Sequence, residues 1–406
     1  MDKFRKKSVE KNDFFNGDDG IEINKLLELI KDSEYYSNIT EHFQLNENDK
    51  TKINIPGAKT LFNILSSSNK KLIKIDINVE LQDIYFDYSG KFGIIFKNIH
   101  ENDYLNKKNI TSLKAYPIHS AEKDFFANLY EIDKYASILL KNGFKDILDT
   151  NLELLKQKKQ HKKKYRLIHD TEDSLFFLRA IVSKDRYYNY DNALTAVIAL
   201  LKLHFETLAT KVEYELHFFE YNESFLRLYF KTSELKEIKG IGHLENTLLV
   251  SNDEIKREAL RFSNICTIRF TGSNKEQQRL FIKPKDIKTK VLTITHGMGV
   301  EKAFLNLEDF VKSNENFEQL FKEVETITKI KEHNQIVHLV RDKITNSNTD
   351  EIKKFKSELI KILLADVKTT TQLLEIFNKL IYLEGLEIDA KEYLRYLIYE
   401  ALINRK

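Results

Sequence analysis

The sequence predicts an α+β protein, with a mixed or antiparallel β core, packed helices and a mostly helical C-terminal third. Three observations carry this: apolar and polar residues alternate in several short runs, helical spacing surrounds them, and strands precede a long helical stretch instead of alternating with helices one by one. The chain has 406 residues, 42% hydrophobic and 31% charged, which is enough to bury a core without disulfides or a metal. Residues 1–20 read as a mobile leader, because Lys, Asp, Asn and Gly dominate and only Phe4, Phe14 and Phe15 can be buried. Ile23, Leu26, Leu27 and Ile30 fall at helical spacing. A further apolar cluster from Leu61 to Leu65 runs into Ser66-Ser67-Ser68-Asn69, read as a breaker. From Leu72 the period is two: Ile73, Ile75 and Ile77 alternate with Lys74, Asp76 and Asn78, and residues 84–88 meet residues 92–96 across Ser89-Gly90-Lys91 as a hairpin. Helical spacing covers residues 121–141 and 144–155.

A basic run follows: Lys156, Lys158, Lys159, Lys162, Lys163, Lys164 and Arg166, with no acid between Glu153 and Asp170. The chain carries 65 basic and 62 acidic residues; without these seven the balance is 58 against 62, so this stretch decides the sign of the net charge of +3. Residues 175–182 then read as a buried strand. Residues 191–208 read as a helix with Leu194, Val197, Ile198, Leu201 and Phe205 on one face and Asp191 or Asn192 as its N-cap. Residues 212–218 and 225–230 form a second hairpin across Glu220-Tyr221-Asn222-Glu223, and strands are expected at 260–270, 279–283 and 291–295. From Val300 onward the period is 3.6, broken near Ser313-Asn314, Asn346-Ser347-Asn348 and Gly385. The expected division is therefore a leader (1–20), an N-terminal α+β part (21–155), a basic connector (156–166), a β-rich core (167–299) and a helical region (300–406).

The basic run points to a polyanion, since each Lys or Arg near a phosphate releases a counterion. A net charge of only +3 confines such binding to a local patch. Tyr187 and Tyr188, beside Lys184 and Arg186, could stack on bases; the plainer reading is a solvated linker and tyrosines covering a core edge. Arg179 stands in an apolar strand, where a buried guanidinium must be paired. Its two readings are an internal salt bridge with Asp185 or Asp191, or a phosphate contact with Arg186 at the rim. The histidines lack His-Glu-x-x-His spacing, and a single cysteine, Cys266, in an apolar strand, excludes both a disulfide framework and a cysteine-rich zinc site. No phosphate-cradling loop and no Gly-x-Ser-x-Gly elbow occur. His296 precedes Gly297-Met298-Gly299, a segment that turn torsions explain without a ligand. The acids Asp170, Glu172, Asp173, Asp185 and Asp191 could hold magnesium, but their spacing does not require it.

Around Leu178-Arg179-Ala180-Ile181-Val182-Ser183, then Arg186-Tyr187 and Asp191-Asn192, the chain resembles an uncharacterised phage/plasmid-like family (domain of unknown function 932). The family pattern has a strand bearing Arg and Ser, then Arg-Tyr, then Asp-Asn opening a helix; here one residue is extra between Ser183 and Arg186. The segment from Ser251 to Ile255 looks like a family segment that normally ends in glycine, where this chain has Lys256; Cys266 lacks the usual Asn-Gly neighbours, and His296 resembles a late histidine. The resemblance covers roughly residues 160–400. It implies a mobile-element origin and an α+β core, and brings no established reaction.

The sequence reading is thus a non-enzymatic, phage-related protein of the bacterial cytoplasm that binds nucleic acid, single-stranded in preference, through Lys156, Lys158, Lys159, Lys162, Lys163, Lys164, Arg166, Arg179, Arg186, Tyr187 and Tyr188, and assists recombination or replication. No catalytic residue, metal or cofactor is assigned, no signal peptide or membrane span is expected, and a homo-oligomer is compatible with it. The rival reading is a structural protein that binds protein partners through its C-terminal helices.

Overall fold

A computed structural model describes residues 2–46, 48–158, 163–184, 187–255, 258–283, 292–308 and 314–405. Its contacts divide the chain into two units, Met1–Phe62 with Tyr190–Lys406, and Asn63–Asn189. The α+β class expected from the sequence is found. In the larger unit the chain opens with β1 (Lys7–Glu10) and a small ribbon of β2 (Ile21–Glu22) and β3 (Lys52–Ile53). The first twenty residues are not a loose leader, because Lys7 to Glu10 pair with Tyr221 to Phe218 and the Asp18 carboxylate accepts from the Thr60 backbone N–H at 2.7 Å. The helix Ala58–Lys71 runs straight through Ser66-Ser67-Ser68-Asn69. Serine costs only a few tenths of a kcal/mol in a helix, and burial of Leu61, Phe62 and Leu65 outweighs that.

The smaller unit holds β4 (Leu72–Ile77), β5 (Ile84–Asp87), β6 (Gly93–Phe96), β7 (Leu113–Pro117), β8 (Lys163–Asp170) and β9 (Leu175–Ser183). They form one sheet in the order β4-β8-β9-β7-β6-β5, antiparallel except for the β7–β9 pair. Its core takes Phe96, Tyr165, Leu167 and Leu178 from the sheet and Phe125, Phe126, Leu148 and Leu152 from its helices. The expected boundary at a connector 156–166 therefore moves. The basic run is split between the end of the helix Lys145–Lys158 and the start of β8, which returns to pair with β4, so residues 63–189 fold together.

The rest of the larger unit contributes β10 (Tyr214–Tyr221), β11 (Phe225–Ile238), β12 (Gly242–Asp253), β13 (Glu258–Thr271), β14 (Gln277–Ile282) and β15 (Leu292–Thr295). The sheet order is β1-β10-β11-β12-β13-β14, with β15 also paired to β13, and every pair is antiparallel. The helix Asn192–Thr210 begins where Asp191 caps it, its Oδ1 accepting from the Leu194 N–H at 2.7 Å. Its first turn is tied to the sheet. Asn192 Nδ2 donates to the Phe225 and Asn222 carbonyls at 3.2 and 3.1 Å, and Asn252 Nδ2 donates to Asn192 Oδ1 at 3.0 Å. By length and composition this helix could cross a membrane, yet two thirds of its most apolar window (67%) is buried inside the protein, as suits a core helix. The C-terminal helices pack Val340, Leu373, Phe377, Leu394 and Ile398 against Ile238, Leu244, Cys266, Ile268 and Leu280 of the sheet.

Candidate functional site

Residues directly opposite one another in a β-sheet point to the same face. The register pairs Ser8 with Glu220, Glu220 with Arg227, Arg227 with Ser251 and Ser251 with Arg261, so these five stand in one polar row across β1, β10, β11, β12 and β13. Two residues along the same face, Phe218, Tyr229 and Leu249 stand in the next row and close a small apolar cluster with Ile265 and Phe281. The Phe218 and Tyr229 rings stack at 3.9 Å. The helix Ile388–Tyr399 lays Asp389, Glu392 and Tyr396 along one side, at spacings of three and four residues, and Arg395 beside them.

Row and helix meet in a buried ion cluster. Glu392 sits 3.3 Å from Arg227, 2.6 Å from Lys283 and 3.6 Å from Arg395. Glu220 sits 3.6 Å from Arg227 and 3.5 Å from Arg395, and accepts from the Tyr229 hydroxyl at 3.0 Å. Arg395 also donates to that hydroxyl at 2.9 Å and lies 5.5 Å from the ring centre. Burial alone would raise the Glu392 carboxyl, but Arg227, Lys283 and Arg395 hold it well below the usual carboxylate range. The Lys283 ammonium is pushed down, first by burial and then by Arg227 and Arg261, with Glu392 pulling the other way. The Tyr396 hydroxyl is pushed up to about 12 by burial and by Glu392.

In front of this cluster lies a cavity of about 370 Å³, within the size range of small-ligand sites. Its walls carry four cations, Lys6, Arg227, Arg261 and Lys283, two carboxylates, Asp253 and Asp389, and the rings of Phe225 and Tyr396. Lys6 pairs with Asp389 at 2.5 Å and stands 4.1 Å from the Phe225 ring centre; Arg227 lies 4.7 Å from the same ring. Counting the second layer, five cations (Lys6, Arg227, Arg261, Lys283, Arg395) face four carboxylates (Glu220, Asp253, Asp389, Glu392). Among the described residues these side chains carry one positive charge in surplus, and such a lining favours an anion. Sequence reasoning passed over these residues. The available signal was the one that singled out Arg179: a cation set between apolar neighbours in a strand, as in Leu226-Arg227-Leu228 and Leu260-Arg261-Phe262.

The residues expected from the sequence to touch nucleic acid lie in the smaller unit. Three of them are corrected to internal roles. Lys156 is buried, because its ammonium donates to the Ile84 carbonyl at 2.6 Å and to Glu153 at 2.5 Å and lies over the Tyr85 ring. Arg166 is 2% exposed: Nε donates to Asp76 at 3.3 Å, Nη1 to the Tyr187 hydroxyl at 2.9 Å and Nη2 to Asn189 Oδ1, while Asn189 Nδ2 donates to the other Asp76 oxygen at 3.2 Å. Arg179 is buried on β9 at a bulge, since Arg166 pairs with Ala180 and Leu167 with Leu178, leaving Arg179 as the additional residue. Lys163 and Lys164 are half-buried opposite Ser183 and Val182, with Lys164 3.8 Å from Asp76. Tyr188 is exposed. Lys158 ends its helix; its side chain, together with Lys159, Lys162 and Arg186, lies outside the described residues. The β8–β9 register thus brings Lys163, Lys164 and Arg166 to the end of β9, where Arg166 reaches Tyr187 and Asp76 stands beside Arg166 and Lys164. Elsewhere, Cys266 is buried in β13, and His296 is buried with Nε2 3.2 Å from the Asp253 carbonyl. No family model, no curated protein and no solved structure matches this chain.

Proposed function

We propose that the protein binds single-stranded nucleic acid and seats one phosphodiester in the cavity of the larger sheet. The carrying observation is the row Arg227–Ser251–Arg261 with Lys6 and Lys283 around the same space. The excess of cations over carboxylates among the described residues suits an anionic diester, and Ser251 adds a hydroxyl between the two guanidinium groups. The test is binding of a labelled oligonucleotide over a salt series, with inorganic phosphate and a nucleoside monophosphate at equal ionic strength for comparison. The oligonucleotide should bind most tightly, and Arg261→Gln should weaken it regardless of base sequence and lower the salt slope by about one. No binding at low salt, or an unchanged slope in Arg261→Gln, refutes the proposal.

The β8–β9 register favours a second reading, in which Lys163 and Lys164 with Tyr188 hold the strand in the smaller unit. Arg166 is buried and held by Asp76, Tyr187 and Asn189, and Lys164 lies 3.8 Å from the same carboxylate, which makes this the weaker anion site. Lys163→Glu with Lys164→Glu should then abolish binding that Arg261→Gln leaves intact.

A further inference from the structure

The smaller unit carries an apolar face that its own core does not use. The helices Asp133–Lys141 and Lys145–Lys158 form an antiparallel hairpin, tied by the Phe144 N–H to the Leu139 carbonyl at 2.9 Å and by Asn151 Nδ2 to the Tyr135 hydroxyl at 3.3 Å. Their inner sides bury Ala136, Leu139, Leu148 and Leu152. Outward they present Tyr135, Ile138, Phe144, Ile147 and Leu154, all between 44% and 59% exposed. Isolated exposed apolar residues need no explanation, but five large ones within twenty residues on one face do.

The charges bordering this face say what covers it. By the helical period of about 3.6, exposed Lys134 and Lys141 run along the edge of the first helix away from the second, and exposed Asp146 and Glu153 along the edge of the second away from the first. One border is basic and the opposite border acidic, so the face is complementary to itself. We propose that two copies of this chain pair through it, about a two-fold axis parallel to the helices, so that each first helix covers the other copy's second helix. Lys141 then meets Asp146 of the second copy near the turn, and Lys134 meets Glu153, which also pairs with Lys156 of its own chain at 2.5 Å, at the far end. A two-fold axis across the helices would set lysine against lysine and is disfavoured.

Size fixes the expected strength. Helices of 9 and 14 residues, about 14 and 21 Å long and roughly 10 Å apart, offer about 400 Å² per copy, half of the roughly 800 Å² of a standard interface. The dimer is therefore weak and concentration-dependent. Sedimentation velocity over a concentration series should show a reversible monomer–dimer equilibrium that Ile138→Asp abolishes, with circular dichroism unchanged. Lys141→Glu and Asp146→Lys should each weaken self-association about tenfold, since each exchanges two attractive contacts for two repulsive ones. An equimolar mixture of the two variants should restore the dimer, because Glu at 141 then faces Lys at 146 across the axis. A chain that stays monomeric throughout, a dimer indifferent to Ile138→Asp, or a mixture no stronger than its components overturns the proposal. Flotation of the monomer with anionic lipid vesicles would assign the face to a membrane surface and overturns it equally.

Discussion

Replacing Glu392 by glutamine keeps its shape and removes the one carboxylate that three cations share. Arg227, Lys283 and Arg395 lie 3.3, 2.6 and 3.6 Å from it, so Glu392→Gln leaves Arg227 and Arg395 on Glu220 and takes from Lys283 the carboxylate it pairs with. Removing one partner of a buried ion pair costs about 3–5 kcal/mol, and the low end applies because Glu220 stays. At about 2 °C per kcal/mol for a unit of this size, the melting temperature should fall by about 6 °C at pH 7, read by scanning calorimetry. The pH dependence has a definite sign. The cations hold the Glu392 carboxyl below its ordinary value in the folded state, so its contribution is complete above the unfolded-state value of about 4.3 and is lost as the pH falls below it. The gap between wild type and variant should therefore narrow below about pH 4. The same substitution raises the positive surplus at the cavity, so inorganic phosphate, compared with chloride at equal ionic strength, should stabilise Glu392→Gln more than the wild type. A variant that melts within about 1 °C of wild type, or one with the wild-type response to phosphate, refutes the reading of this cluster as a buried charge network facing an anion site.

The remaining predictions concern acid sensitivity and reactivity. Burial, with Arg279 nearby, pushes the His217 imidazole down to about 4, so between pH 6.5 and 4 the unfolded chain takes up a proton that the folded one does not, and stability falls as the pH falls through that window. His169 and His204, also lowered by burial, act in the same direction. Urea unfolding at pH 7 and pH 5 should show His217→Gln losing up to about 2 kcal/mol less than wild type, and an equal loss in both would count against it. Cys266 is buried in the sheet, where desolvation raises its thiol; alkylation should therefore proceed only at the rate of unfolding, and fast labelling of the native protein would contradict this burial.

The local elements were legible because their signals are local. The turn Ser89-Gly90-Lys91 sits between the strands it was expected to join, the hairpin at residues 221–225 is present, and Asp191 caps the helix that its position announced. What could not be read was pairing over long separations. Val9 looks like part of a polar leader until Phe219 is opposite it, and Arg166 looks like a surface cation until Asp76, 90 residues earlier, lies beside it. The cavity is the extreme case. The apolar neighbours of Arg227 and Arg261 mark each of them singly, but only the register through Ser251 puts them in one row. A one-residue slip in either ladder would send one of them to the opposite face, and composition cannot report a register.

Stability gives no good reason for that row to be charged. Buried ion clusters are replaced by packed apolar side chains without loss in many proteins, and the next row of the same face, Phe218, Tyr229 and Leu249, shows that this sheet accommodates such packing. A purely structural cluster would also be expected to balance its charges and fill its volume, whereas here, among the described residues, cations outnumber carboxylates and an open space lies beside Arg227 and Lys283. Because the surplus and the space occur at the same place, a ligand that is both small and anionic accounts for both. In the smaller unit, by contrast, Arg166 is buried and already held by Asp76, Tyr187 and Asn189.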